Sequence, residues 1–234
     1  CYFVNFSRLV AKDQIKKDVS LYFKAVDYVS IFHLVGGEPL MYPQFNEVLE
    51  YIGKNFRDKI AILLLTTNGT LVPKELTFQL MKKFSVLVYL SDYTDNINYK
   101  RRLNQLTENL KRHEINYLHR KDISWSDFGD PSIEKFHTEK EAIDHFDSCT
   151  APFRGLHNGR YYYCHLNTSA ILAGIVPENE NDYISLDKSP DPEELLKLDL
   201  GFIKSGYVTF CKNCNGCNTG INIPVSPKPQ GLRT

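Results

Sequence analysis

The sequence predicts an α/β fold organised on a parallel sheet, and three observations carry that prediction. Runs of β-branched, aromatic and aliphatic residues recur at 28–34, 60–67, 86–90 and 115–118, closed by polar or glycine-bearing turns. Segments of helical periodicity separate these runs. The connections are short, and strand–helix alternation with short turns implies parallel strands joined by right-handed crossovers.

In chain order, Ile15, Val19, Tyr22, Phe23 and Val26 fall at helical spacing among lysines and aspartates, so 11–26 reads as an amphipathic helix. The strand at 28–34 runs into Val35-Gly36-Gly37-Glu38-Pro39. Pro43 then opens a helix with Phe45, Val48, Leu49 and Ile52 on one stripe. The continuous run 60–67 reads as a strand covered on both faces and ended by Asn68-Gly69. Pro73 starts the next helix. A strand at 86–90 is closed by Ser91-Asp92, a helix over 95–113 carries Leu103, Leu106 and Leu110, and a short strand follows at 115–118.

Beyond Asp122 the pattern changes. Trp125, Asp127, Gly129 and Pro131 lie in an irregular loop, and a charged helix at 132–146 leads to a hairpin with His157-Asn158-Gly159 as its turn. A further helix is expected at 192–205 and a loose tail at 222–234. Composition places a soft boundary near 147, giving domains 1–147 and 148–234.

With 234 residues, 28 basic against 28 acidic side chains and 42% hydrophobic residues, the chain can bury a core as one domain with an appendage. Balanced charge argues against nucleic acid as a partner, because phosphate neutralisation needs surplus Lys and Arg. No apolar run reaches the roughly 18 to 20 residues that span a bilayer, and no signal-peptide pattern is present. The expected compartment is cytoplasmic, without a membrane partner. The chain starts on Cys1, so its natural N-terminus is expected upstream.

The turn at 34–40 is where chemistry is expected. Gly36 and Gly37 lack Cβ, so the backbone can take φ > 0 and approach a ligand, and Pro39 stiffens the exit. Such turns line ligand pockets in parallel sheets, and the Glu38 carboxylate can receive an ammonium. All six cysteines, Cys1, Cys149, Cys164, Cys211, Cys214 and Cys217, fall outside 2–148. The last three form two overlapping C-x2-C units, and Cys149 and Cys164 flank the hairpin. Disulfides fit poorly with a cytoplasmic chain long enough to fold unstapled. Zinc and iron–sulfur clusters both take four thiolates, and spacing alone does not separate them. The histidines show no metal spacing, and His33, within a strand, reads as a core residue.

Gly36-Gly37-Glu38-Pro39 after a buried strand, Thr67-Asn68-Gly69 one strand later and Ser91-Asp92 after the next resemble the radical S-adenosylmethionine superfamily over residues 1–125. The resemblance implies that the first domain is part of a TIM-like (β/α)6 barrel. In that family a C-x3-C-x2-C loop holds a primary [4Fe-4S] cluster. Cys1, 35 positions before Gly36, looks like the last cysteine of that loop, which makes the chain N-terminally truncated, with one primary ligand of three. Cys149-x9-Gly159-x4-Cys164 followed by Cys211-x2-Cys214 is similar to the twitch subdomain, the shortened relative of the SPASM extension, which carries an auxiliary [4Fe-4S] cluster. Cys217 is a fifth candidate there.

The resemblance implies an oxidoreductase or modifying enzyme in which reductive cleavage of S-adenosylmethionine gives a 5′-deoxyadenosyl radical that abstracts a substrate hydrogen. Gly36, Gly37, Glu38 and Pro39 would hold the methionine ammonium, while Asn68 and Ser91 would bond the ribose or carboxylate. Asn68 could equally be a plain turn former. Arg120 is a further candidate for the carboxylate, and Trp125 and Asp127 for the substrate pocket. Four thiolates, Cys149, Cys164, Cys211 and Cys214, leave no iron open, which suits electron transfer during net oxidation of a small carbohydrate-like substrate. A peptide or protein side chain is the alternative, and a reductant such as flavodoxin or ferredoxin is the implied partner. With two primary ligands absent, this chain alone is expected to be inactive. A different class, a non-catalytic zinc-stabilised α/β binding protein, would use the same thiolates.

Overall fold

The computed structural model describes residues 10–121, 125–150 and 153–217, with Trp125 and residues 222–223 described by backbone alone. These residues form two compact units, one of residues 27–125 and one of residues 10–26 with 126–223. The packing boundaries thus fall at 26 and 125, whereas composition changes near 147. Among the described residues no helix is long and apolar enough to cross a membrane.

The unit of residues 27–125 holds β1 (Val29–Leu34), α2 (Phe45–Asn55), β2 (Ile60–Thr67), α3 (Glu75–Lys83), β3 (Val86–Ser91), α4 (Lys100–Arg112) and β4 (Tyr117–Arg120); α1 (Lys12–Ala25) belongs to the other unit. The four strands pair in parallel in the order β1-β2-β3-β4. Each neighbour in sequence is therefore a neighbour in the sheet, and all four strands end along one edge.

One face of this sheet is packed and the other is half open. Leu63 and Leu65 of β2 are fully buried beside Val86, Val88 and Leu90. The stripes Leu49 and Ile52, Phe78 and Met81, and Leu103, Leu106 and Leu110 complete the core. On the opposite face Ile31 is 55% exposed and its register partner Ile62 is 39% exposed. The run 60–67 reads as a doubly covered strand, yet among the described residues the second face of β2 is only partly covered, with Ile62 exposed and Leu64 and Thr66 half-buried. His33 lies on this half-open face, with Nε2 2.7 Å from Thr66 Oγ1.

Two boundaries differ from expectation for local reasons. Helix α4 begins at Lys100 rather than near 95 because the chain first turns: Asp92 Oδ1 accepts from the Thr94 amide, and the Tyr93 amide donates to Tyr99 Oη. Strand β4 begins at Tyr117 rather than 115 because Glu114 takes φ 51° and the Ile115 amide returns to the Leu110 carbonyl to close the helix.

The second unit contains α5 (Glu139–Ser148), β6 (Gly155–His157), β7 (Arg160–Tyr162), α6 (His165–Leu172), β8 (Tyr183–Ser185), α7 (Pro192–Asp199) and β9 (Asn222–Ile223), together with α1, and the unit boundary falls within β5 (Trp125–Ser126). Strands β6, β7 and β8 form an antiparallel sheet, and β5 pairs with β9. The expected hairpin is present: Asn158 and Gly159 both take positive φ, 49° and 72°, as a two-residue primed turn requires. Asp18 of α1, only 4% exposed, accepts from the Gly159 amide at 2.6 Å and so binds α1 to that turn. Helix α5 starts at Glu139, later than expected, because Thr138 and Glu141 cap it reciprocally. Helix α7 stops at Asp199, where Gly201 at φ 88° lets the Phe202 amide reach the Lys197 carbonyl. Of the expected tail only 222–223 are described, as β9; the rest lies outside the described residues.

Candidate active-site edge and cysteine cavity

The carboxyl edge of the parallel sheet gathers the turn at 35–38, Thr67-Asn68, Ser91-Asp92 and His119-Arg120. Edges of this kind are where parallel α/β sheets place ligands. Gly36 and Gly37 are exposed there, while Glu38 is 5% exposed. Neither glycine takes positive φ, which corrects that expectation. A Cβ built at Gly36 would meet nothing within 4 Å, so nothing within the fold requires a glycine at this position.

Glu38 turns inward. Its Oε1 accepts from the Thr67 hydroxyl at 2.9 Å and the Leu40 amide at 3.1 Å, and Oε2 accepts from the Asn68 amide at 2.8 Å. The carboxylate thereby caps the 3-10 turn Pro39–Met41 and ties the end of β1 to the end of β2. Burial pushes its pKa up, against the donors from Asn68, Leu40 and Thr67. Asn68 Oδ1 accepts from the Thr70 amide and hydroxyl, the arrangement of a turn former. Ser91 is 7% exposed and registers against Arg120, whose Nη1 lies 3.4 Å from Tyr89 Oη.

Sequence reading named Asp92 only in the Ser91-Asp92 turn and gave no role to its partner at the same edge, His119. Asp92 Oδ2 lies 2.8 Å from His119 Nε2, and Oδ1 accepts from the Thr94 amide at 2.8 Å. Burial raises the Asp92 pKa, but the Thr94 donors and His119 outweigh it and hold the carboxyl below the usual range. A depressed folded-state pKa contributes stability above the unfolded value of about 3.9 that is lost as pH falls through the folded pKa. Asp92→Asn is therefore expected to lower stability at neutral pH by about 2 kcal/mol and to flatten the acid limb of stability against pH. Urea midpoints measured across the acid range check both; an unchanged acid limb would show that Asp92 carries none of it.

In the other unit, Cys149, Cys164, Cys211, Cys214 and Cys217 line one cavity together with His145, Phe146, Tyr163, Leu166, Val208 and Phe210. The expectation for Cys1 lies outside the described residues, as does that for the Trp125 side chain. The five thiols are free of disulfides. Burial pushes the thiol pKa up at Cys164, at Cys211 and, to about 11, at Cys214. At Cys217 the hydrogen bond with Cys149 raises it first and burial second.

The cavity wall holds sulfur by local geometry. Cys164 ends the hairpin and directly precedes α6, a helix not anticipated from sequence, and the nearby amides of Asn167 and Leu166 oppose the rise in its thiol pKa. Cys211 sits in the 3-10 turn Thr209–Lys212 with its amide on the Val208 carbonyl at 2.8 Å, and the Cys214 sulfur receives the Gly216 amide at 3.2 Å. Behind them lies a buried network that periodicity could not reveal. Asn167 Nδ2 donates to Asp182 Oδ2 at 3.0 Å, the Thr209 amide to Asp182 Oδ1 at 2.9 Å, and the Phe210 amide to Asn167 Oδ1 at 2.9 Å. Asn167 and Asp182 are both fully buried. Asp127, a substrate-pocket candidate, serves this wall: its carbonyl accepts from Asn215 Nδ2 at 3.1 Å.

Among the described residues no group of three or more His, Cys, Asp or Glu side chains is arranged to hold a metal ion. A zinc ion would draw four ligands to about 2.3 Å from one point, and the thiols are not so gathered. A multi-iron cluster instead spreads its thiolates around a larger body. The apolar, five-thiol cavity fits that donor requirement.

The described fold is α/β with a four-stranded parallel sheet, and a thiol-lined cavity lies in the second unit. No protein-family profile and no solved structure matches the chain. Over 89 residues the chain is 34% identical to the antilisterial bacteriocin subtilosin biosynthesis protein AlbA of Bacillus subtilis (strain 168). The match covers 38% of this chain and 18% of AlbA, so it spans less than a fifth of that protein's length.

Proposed function

We propose that this chain is part of a radical S-adenosylmethionine enzyme that modifies a peptide and carries a twitch-type auxiliary [4Fe-4S] cluster. The observation that carries the proposal is the convergence of Cys149, Cys164, Cys211, Cys214 and Cys217 on one cavity. Three further features support it. The sheet is parallel with sequential strand order, as in a segment of a (β/α) barrel. Its carboxyl edge bears the Gly36-Gly37-Glu38-Pro39 turn, with open space where a Gly36 Cβ would stand. The partial likeness to a bacteriocin biosynthesis protein favours a peptide substrate, and nothing found supports the carbohydrate-like one.

In this reading the bound clusters and S-adenosylmethionine supply the electron transfer and radical chemistry. The chain's own residues position. Glu38 braces the turn through Thr67 and Asn68, so that exposed Gly36 and Gly37 present backbone to the methionine ammonium. Asn68 sets the neighbouring turn, and Ser91 and Arg120 stand at the next strand ends for the carboxylate or ribose. The cysteine cavity, walled by Phe146, Leu166, Val208 and Phe210, keeps water from an auxiliary cluster. The electron donor would be a flavodoxin or ferredoxin.

Anaerobic reconstitution of the chain with ferrous iron and sulfide tests the proposal. The expected product is brown, with iron and acid-labile sulfide in equal amounts. A colourless protein binding one zinc tightly would overturn it in favour of the zinc-stabilised binding protein.

A further inference from the structure

One lysine grips the turn that carries Cys211, Cys214 and Cys217. The Lys135 amide donates to the Lys212 carbonyl at 2.7 Å, within the first C-x2-C unit, and its ammonium donates to Asn215 Oδ1, within the second. Asn215 is itself fixed, with its amide on the Phe128 carbonyl at 3.0 Å and Nδ2 on the Asp127 carbonyl at 3.1 Å. Gly129, at φ 80°, leaves room for the ammonium: a Cβ there would collide with Lys135 Nζ and stand 2.9 Å from Asn215 Oδ1. Phe136, the next residue, stacks on His145 of the cavity lining with ring centroids 4.4 Å apart. Backbone, side chain and neighbour thus hold this cation against the wall of the thiol cavity.

The other cations around the cavity are already neutralised. Arg154, which lies 4.0 Å from the centroid of the Tyr163 ring, pairs with Asp199 at 3.0 Å, and Lys212 pairs with Glu134 at 3.5 Å. Lys135 makes no ion pair among the described residues, and its ammonium meets the neutral side chain of Asn215 instead. Its field acts only weakly on Asp130, an exposed carboxylate that the amide and hydroxyl of Ser132 hold. Fixing an ammonium on a neutral partner costs side-chain entropy and hydration, and an anion in the adjoining cavity offsets that cost. A [4Fe-4S] cluster on four thiolates is an anion, and its reduction potential depends on the charges around it.

We infer that Lys135 supplies the counter-charge of the auxiliary cluster and raises its reduction potential, so that the cluster takes up an electron more readily. This rests on the cluster reading above and deepens it by assigning a residue that tunes the site. Lys135 acts from outside the ligand set, through the residue between Cys214 and Gly216, and is a positioning residue rather than a ligand. A unit charge about 10 Å away, acting through an effective dielectric of about 20, changes a one-electron equilibrium by about tenfold, which is about 59 mV.

The test compares Lys135→Met, Lys135→Gln and Lys135→Arg in the reconstituted chain, with reductive titration by dithionite followed by electron paramagnetic resonance. Far-UV circular dichroism of each apo variant establishes that it is folded. The two neutral variants are expected to need a potential more negative by about 59 mV, a tenfold change, and the arginine variant to keep the wild-type value. Glutamine retains a donor for Asn215 without the charge, so a wild-type potential in Lys135→Gln would show that the hydrogen bond alone matters and would overturn the inference. If both neutral variants lose the cluster, iron and sulfide content decides in the same series. Retention by Lys135→Arg is then expected, and loss there too would make Lys135 a purely structural residue and overturn the inference. A wild-type chain that takes up no iron and sulfide overturns the cluster reading itself, and the inference with it.

Discussion

Glu38→Ala is expected to destabilise the protein by about 3 kcal/mol, because it leaves three donors at a buried strand end without their acceptor. The Thr67 hydroxyl and the amides of Leu40 and Asn68 all converge on this carboxylate, which is 5% exposed. Glu38→Gln keeps the volume but turns an amide group toward donors, and is expected to lose about half as much. Urea denaturation with an unchanged slope reads both. If the carboxylate served only to receive a ligand's ammonium, the ligand-free alanine variant would be as stable as the parent, and the bracing role would fall.

Asp182→Ala is expected to have an effect of similar size in the other unit, about 3 kcal/mol, for the same physical reason. Its two oxygens accept from Asn167 Nδ2 and the Thr209 amide at a site with no exposure. Burial pushes the Asp182 carboxyl up in pKa, and donors from Thr209 and Asn167 oppose that shift. Thr209 opens the turn that carries Cys211, so the substitution also loosens the cavity wall. In the reconstituted protein, faster loss of iron to a chelator is the expected second readout. A variant that loses stability but releases iron at the parent rate would separate the network from the cavity.

How far the sequence could be read follows from what periodicity encodes. The stripe of Phe45, Val48, Leu49 and Ile52, the leucines of α4 and the Asn158-Gly159 turn each announce an element through its own neighbours in the chain. Partners are not encoded in that way. The run 60–67 is apolar on both faces, but only its packing discloses that the Ile31 and Ile62 face stays half open. Helix α6 has almost no apolar asymmetry to mark it, and its Asn167 acts through residues far along the chain. At the candidate sites, the Gly36-Gly37-Glu38 turn and the cysteine spacing were visible as residue types. That Glu38 faces inward and that Asp92 pairs with His119 are matters of side-chain direction, which one-dimensional spacing does not carry.

The bond from Asp18 to the Gly159 amide joins residues 141 positions apart, and that separation bears on the order of assembly. Residues 27–125 form a continuous stretch with sequential strand pairing, so they can fold as soon as they leave the ribosome. Helix α1 is made before them, yet the hairpin it caps is made after them. It must wait unpaired while the parallel sheet forms, and the loop it finally closes contains an already folded body rather than flexible chain, which lowers the entropy of closure. The cysteine-bearing unit, which draws on residues from both sides of 27–125, is therefore assembled only after that stretch has been made.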